Sequence, residues 1–248
     1  MKRLSMGLLL TLAATVLQGS SGLAAVLLEP IDARIPDPLG YGGAFAGISA
    51  DALIIAGGAN FPEETWGTGE KVWHDRISVL QRDEDKYTWH TDAKLPRPLA
   101  YGVSITTDFG LICISGSDSQ RAYRSVLLLR WEDGGVKTVE LPDLPGPRAN
   151  AAGALLGGTI YVAGGQTGNK EVEVTDTFWS LKLPKKAGEA FDWRSLEWEE
   201  LPSWPGPSRA QAVAAAQGGK FYLFSGFDLE PGPDGKPKRK YLSDAYCF

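Results

Sequence analysis

The sequence predicts an all-β protein assembled from four copies of one repeat, and three observations carry that prediction. The first is a recurring unit: a proline-led opening, a strand of small residues, a tight turn, a β-branched strand and a closing glycine. Its clearest copy runs from Pro147 through Gly157-Gly158 to Gly164-Gly165. It recurs from Pro98 to Ser115-Gly116, from Pro207 to Ser225-Gly226 and, more loosely, from Pro38 to Gly57-Gly58. The second is spacing. The closing glycines Gly58, Gly116, Gly165 and Gly226 lie 58, 49 and 61 residues apart, and periods near 50 that end in glycine mark kelch-type β-propeller blades. The third is composition, since 30 glycines and 16 prolines in 248 residues suit a chain that turns often. Taken alone, the alanines of residues 149–154 would favour a helix; the repetition overrides that preference.

The blades are expected at residues 36–91, 95–140, 144–201 and 204–248. In the first, residues 44–49 and 52–56 form an inner pair around Ala50-Asp51. Residues 76–81 and 87–91 form the outer pair around the acidic turn Asp83-Glu84-Asp85, after a long loop over residues 59–72. The second blade takes residues 101–106, 111–114, 125–131 and 136–140, with Asp133-Gly134-Gly135 as a strong hairpin signal. The third has outer strands at 177–183 and 198–201, joined by an insertion rich in lysine and glycine. The fourth offers 211–216, 221–224, a loop over 228–240 and a last strand at 244–248, whose outermost neighbour is missing. Trp89 and Trp198 each precede a Leu-Pro pair on an outer strand, where packing between blades is the expected role.

Ahead of the blades, Lys2 and Arg3 precede an apolar run from Met6 to Leu17 and a small, polar stretch up to Ala25. This is the pattern of a secretory signal peptide over residues 1–24, and the run is too short to span a bilayer. A periplasmic or secreted protein, free of the membrane after cleavage, is expected. Val26-Leu27-Leu28 is a candidate first strand. The formal charge of -5 and the absence of a basic stripe argue against a nucleic-acid partner; the run Lys236 to Lys240 reads as a solvated hairpin tip. Cys113 falls inside an apolar strand and Cys247 in another blade, so no disulfide is expected.

The segment Gly42-Gly43-Ala44-Phe45-Ala46-Gly47-Ile48-Ser49, continuing to Gly57-Gly58-Ala59-Asn60-Phe61-Pro62, is more specific than a generic repeat. With Ala100-Tyr101-Gly102-Val103-Ser104 and Gly146-Pro147-Arg148, it resembles the N-acetylneuraminate epimerase (sialic acid mutarotase) family, in particular its cyclically permuted branch. The resemblance covers about residues 36–248. It implies a six-bladed propeller, of which about four blades are present here, that interconverts the anomers of N-acetylneuraminate. Such a reaction needs a base for the anomeric hydroxyl, an acid for the ring oxygen and a cation for the sugar carboxylate. The Gly-Glu segment that carries the family's catalytic acid has no match here, and in the permuted order it belongs beyond Phe248. Gly69-Glu70 does not follow a blade strand, and Leu99 stands where some members have arginine.

Four residues are candidate substrate contacts. Arg148 and Arg209 each follow a blade-opening proline, which would aim them at the channel mouth as a clamp for a carboxylate. The alternative is that they brace neighbouring blades through backbone carbonyls. Asn60 and Phe61 follow the first glycine pair and could hydrogen-bond or stack on a sugar, or simply form a turn. His74 and His90, the only histidines, read as surface or inter-blade residues and make no metal site, which excludes a copper radical oxidase; neither metal nor cofactor is expected. A hydrolytic sialidase is excluded by the lack of a Ser-x-Asp-x-Gly-x-x-Trp repeat. The reading is a mutarotase of a small sugar acid, against a non-catalytic propeller that binds a glycan or protein.

Overall fold

The computed structural model describes residues 33–62, 69–84, 86–168, 173–188, 190–233 and 235–248. The expected signal peptide and the strand candidate Val26 to Leu28 lie outside the described residues. The architecture is all-β, with four sheets in a four-bladed propeller arrangement.

The first blade contains β1 (Phe45–Ser49) and β2 (Ala52–Ala56), a short rim ladder of β3 (Ala59–Asn60) with β4 (Val72–Trp73), and the outer strands β5 (Arg76–Asp83) and β6 (Lys86–Lys94). The second is β7 (Val103–Thr107), β8 (Gly110–Ile114), β9 (Val126–Glu132) and β10 (Gly135–Leu141), and the third is β11 (Ala152–Leu156), β12 (Thr159–Ala163), β13 (Phe178–Lys182) and β14 (Trp198–Leu201). Each is an antiparallel meander of four strands in chain order. In the third, the insertion between β13 and β14 holds one 3-10 turn, Trp193–Ser195. The fourth has a sheet of three strands, β15 (Val213–Gln217), β16 (Lys220–Phe224) and β19 (Ala245–Cys247). The stretch read as a loop over residues 228–240 is instead a hairpin of β17 (Phe227–Pro231) and β18 (Pro237–Tyr241). Its alternation of apolar and polar residues is interrupted by prolines and lysines, which hid the pairing from a period-two reading.

Side-chain alternation explains how the blades stack. On β8, Leu111 and Cys113 pack into one core with Phe45, Ile54 and Val79 of the first blade. Ile112 and Ile114 pack into another with Val103, Ile160, Val162 and Trp179, which links the second and third blades. Every residue of β8 is buried, because both faces of its blade meet a neighbour. Phe221 and Leu223 of β16 join Ala152, Ala163 and Phe178 in a third core, while Tyr222 and Phe224 face the other way and are partly exposed. Burial raises the thiol pKa of Cys113 well above the ordinary range, and both cysteines are free.

The innermost strands β1, β7, β11 and β15 pack side by side in that order. Small residues make that approach possible. A Cβ on Gly153 would lie 2.6 Å from a Val103 methyl, and one on Gly47 would lie 2.6 Å from both Leu111 Cδ1 and Thr106 Oγ1. The alanine-rich segments are therefore strands whose side-chain size is set by crowding between blades.

Candidate functional site

The two faces of the propeller are built differently. On one, each innermost hairpin turns in two residues: Ala50-Asp51, Asp108-Phe109, Gly157-Gly158 and Gly218-Gly219. On the other lie the connections between second and third strands and between successive blades, which are longer and carry most of the irregular backbone. Long loops set on a rigid scaffold are where binding groups concentrate.

That second face is organised by a hydrogen-bonded rim. Two residues before each innermost strand, the backbone takes a positive φ: Gly43 at 63°, Tyr101 at 63°, Asn150 at 56° and Gln211 at 52°. Their amides form a relay: Tyr101 N–H donates to the Gly43 carbonyl at 2.8 Å, Asn150 N–H to Tyr101 at 2.7 Å, and Gln211 N–H to Asn150 at 2.8 Å. Three non-glycine residues held in a left-handed conformation by blade-to-blade bonds are a strain reservoir of the kind found at binding sites. Each also sends a polar side chain from the inner rim. Sequence reading missed this set, although a signal existed, since all four occupy the same offset from an innermost strand.

Tyr101 is the best defined of the four. Its ring lies across Gly43, where an added Cβ would meet Cδ1 at 2.5 Å, so glycine at position 43 is needed to seat that ring. Lys71 lies over the same ring, with its ammonium 4.2 Å from the Tyr101 ring centroid, 5.0 Å from Trp73 and 6.0 Å from Phe61. Among the described residues this ammonium has aromatic neighbours and no carboxylate within ion-pair distance. Asn150 Nδ2 donates to Gln166 Oε1 at 2.7 Å, which orients the amide on the rim.

The four residues nominated from sequence occupy different places. Arg148 is buried beneath the rim, stacked 4.4 Å over Trp179, and donates from Nη2 to Thr177 Oγ1 at 2.9 Å and from Nη1 to the Pro147 carbonyl at 2.6 Å. Burial lowers its pKa from the ordinary guanidinium value. Arg209 has 0% of its surface exposed. It makes a two-pronged contact with Asp244, 3.0 Å from Nη1 to Oδ1 and 3.0 Å from Nη2 to Oδ2, and donates to the Ser225 carbonyl at 2.9 Å. Trp204 and Tyr246 sandwich it. The two arginines are placed as braces, one in the third blade and one in the fourth, each engaged by internal partners.

Their backbones explain why. Gly58, Gly116 and Gly165 N–H groups donate at 2.8 Å to the carbonyls of Leu99, Arg148 and Arg209 respectively, so this position locks each blade to the next whatever its side chain. The glycine before Gly58 is needed for the same contact, since a Cβ on Gly57 would lie 2.1 Å from the Leu99 carbonyl oxygen. At the matching position Ser115 turns its crowding into a bond, its hydroxyl donating to the Arg148 carbonyl at 2.7 Å.

Asn60 also has an internal role. Its Nδ2 donates to the Gly40 carbonyl at 3.0 Å, and its Oδ1 lies 2.8 Å from His74 Nε2, tying residues 37–40 to the rim ladder. Phe61 is exposed at the edge of the Lys71 cage. His74 packs edge-on against Tyr41, and His90 lies against Trp131 between the first and second blades. Trp198 Nε1 donates to the Pro142 carbonyl at 2.9 Å, a bond from third blade to second. Among the described residues no three of His, Cys, Asp or Glu are grouped to hold a metal.

Outward from the rim, Asp118 anchors Tyr123. Burial works against the Asp118 carboxylate, but the Tyr123 hydroxyl, the backbone N–H groups of Arg121 and Gln120, and the Arg121 charge hold its pKa below the usual range. Asp244 is lowered chiefly by its hydrogen bonds from Arg209, against an opposing effect of burial, with the Tyr246 hydroxyl adding to the shift.

Comparison with known proteins agrees with this architecture. No family model matches the chain. It is 36% identical over 120 residues to an N-acetylneuraminate epimerase of Brucella suis, covering 46% of this chain and 30% of that protein. It is 38% identical over 111 residues to the enzyme of that name from Pasteurella multocida, covering 44% and 24%, and 37% identical over 106 residues to that of Yersinia pestis, covering 38% and 26%. The chain thus spans less than a third of the length of these curated relatives. The solved structure of YjhT, a propeller, superposes with a TM-score of 0.66 at 12% identity, over 84% of this chain and 68% of that one. The chain therefore has the propeller fold and resembles, over a little under half of its own length, the N-acetylneuraminate epimerases.

Proposed function

We propose that this chain is the sugar-binding part of an exported, kelch-type mutarotase that acts on N-acetylneuraminate, and that the sugar sits on the inner rim. The observation that carries the reading is the rim itself: Tyr101, Asn150 and Gln211 at equivalent positions of three blades, with the Lys71 ammonium over the Tyr101 ring. The resemblance to proteins named N-acetylneuraminate epimerase supports the choice of substrate.

Each residue type suits a group on the sugar acid. Lys71 supplies a positive charge for the carboxylate, held in place by cation–π contact with Tyr101 and Trp73. Asn150 and Gln211 carry amides that can donate to and accept from hydroxyl and N-acetyl groups. Aromatic faces at Trp73 and Phe61 fit the C–H face of a pyranose. Mutarotation takes the proton from the anomeric hydroxyl and delivers one to the ring oxygen as the bond between the anomeric carbon and that oxygen breaks. The open-chain ketone then rotates and recloses on its other face. The rim binds and orients; proton transfer is assigned to no residue of this chain. Arg148 and Arg209 serve the reading indirectly, by fixing the blades that carry Asn150 and Gln211.

The test is NMR on freshly dissolved α-N-acetylneuraminate. Saturation transfer from protein to sugar, weakened about tenfold in Lys71→Gln, is expected of this chain, with faster equilibration of the anomers only in a six-bladed protein that contains it and supplies the acid and base. Binding without faster equilibration in that longer protein would instead favour a non-catalytic glycan-binding propeller. Absence of saturable binding would overturn the reading.

A further inference from the structure

Away from the rim, the connection leaving the first blade crosses the start of β9 and encloses a groove of about 640 Å³. Arg97, Arg121, Tyr123 and Arg124 line it, with Glu140 and Asp143. Arg97 and Arg121 both stack on Tyr123, their guanidinium carbons 4.6 and 4.9 Å from the ring centroid. Tyr123 is itself fixed, because its hydroxyl donates to Asp118, which also accepts from the backbone amides of Gln120 and Arg121. Two flexible cations are thereby gathered on one rigid aromatic post.

Around the groove Asp118 partly offsets Arg121 and the other carboxylates are matched by other cations, so the excess positive charge rests on Arg97, stacked beside Arg121 on the same ring. Asp143 is 3.5 Å from Arg124, and Glu140 is bridged by Arg194. The Asp118 carboxylate is engaged by Tyr123 and the two amides, and the Arg121 charge also acts on it. Among the described residues neither Arg97 nor Arg121 has a carboxylate within ion-pair distance, although the acidic lining groups each have a cation. Stacking leaves the edge of a guanidinium, which carries its donors, directed away from the ring. The geometry points to a second binding site, independent of the rim: Arg97 and Arg121 hold an oxyanion, the carboxylate, sulfate or phosphate group of a small ligand, in the groove beside Tyr123.

The experiment follows the arginine side-chain Nε–H signals of the 248-residue chain by NMR during titration with inorganic phosphate, sulfate and glucuronate in turn. Saturable shifts of the Arg97 and Arg121 signals are expected. The double variant R97Q/R121Q should weaken binding at least about tenfold, with its amide spectrum unchanged outside the groove, and K220Q on the opposite face should leave binding as it was. Saturation by inorganic phosphate or sulfate alone would identify a free ion as the ligand, whereas tighter binding of glucuronate would identify a sugar acid. The absence of saturable shifts, or equal affinity in the double variant, would overturn the proposal. So would loss of the groove signals in Lys71→Gln, which would make the groove an extension of the rim. That variant tests the rim separately, so the two readings fail by different measurements.

Discussion

Arg148 and Asn150 are separated by one residue, as are Arg209 and Gln211, yet they belong to different parts of the molecule. The first of each pair is buried and braced: Arg148 on Trp179 and Thr177, Arg209 between Trp204, Tyr246 and Asp244. The second sits on the rim with a left-handed backbone and a polar side chain that is half-buried or exposed. In the first blade-to-blade junction the same two positions are Leu99 and Tyr101, and Leu99 makes the same backbone bond as the arginines. A residue type that signals anion binding in sequence here supports the fold, while the rim residues two positions on, Tyr101, Asn150 and Gln211, carry no formal charge. What differs is direction. The carbonyl of the first position is committed to a neighbouring glycine, which sends its side chain into the blade, and the positive φ of the second turns its side chain outward.

The largest expected effect comes from breaking the deeper brace. Arg209→Ala should cost about 3 kcal/mol, read from urea unfolding, because it removes a buried guanidinium and leaves Asp244 without its partner; affinity for a rim ligand per folded molecule should stay the same. The same pair sets an acid limb. Because the native pKa of Asp244 is lowered, its contribution is fully present above about pH 4, the unfolded value, and is lost as pH falls through the native one. Urea midpoints followed downward from about pH 5 should therefore fall less steeply in Arg209→Ala than in the parent.

Arg148→Ala should cost somewhat less, about 2 kcal/mol, since its partners are a hydroxyl, a carbonyl and an indole face with no carboxylate among them. A loss of sugar affinity beyond the loss of folded protein would move Arg148 from brace to contact. Lys71→Gln inverts the pattern: about tenfold in ligand affinity, or ~1.4 kcal/mol, with an unfolding midpoint close to the parent's. The smallest effect is a gain. Gln211→Gly removes a side chain from a left-handed position that costs other residues about 1 kcal/mol, offset by the greater unfolded-state freedom of glycine, and should stabilise by roughly 0.5 kcal/mol while weakening binding. If Gln211→Gly leaves binding unchanged, the rim in that blade is structural.

How much of this was legible in sequence can be judged residue by residue. The inner strand pairs were, because β-branched runs between two-residue turns leave few other options, as at Thr159–Ala163 after Gly157-Gly158. The β17–β18 hairpin was not, because Pro231 and Pro237 flank its turn and lysines fill its far strand. The rim was half legible. Tyr101 lies in one of the two most specific motifs, but nothing in Asn150 or Gln211 by itself announces a positive φ, which follows from the amide relay between blades. The arginines were visible as exceptional residues, and their burial was not, since Trp179, Thr177, Trp204 and Asp244 come from strands and connections up to 35 residues away.

By itself, then, the sequence determined the repeat: where each blade opens and closes, which strands carry small residues, and that glycine or serine must stand at each closing turn. These are local requirements, set by φ and by side-chain volume, and they recur at each copy. Only the tertiary structure decided which side chains brace and which face outward, because that depends on what the next blade places opposite them. An arginine facing Asp244 or Trp179 is drawn inward by charge and stacking, while a tyrosine resting on Gly43 stays at the rim.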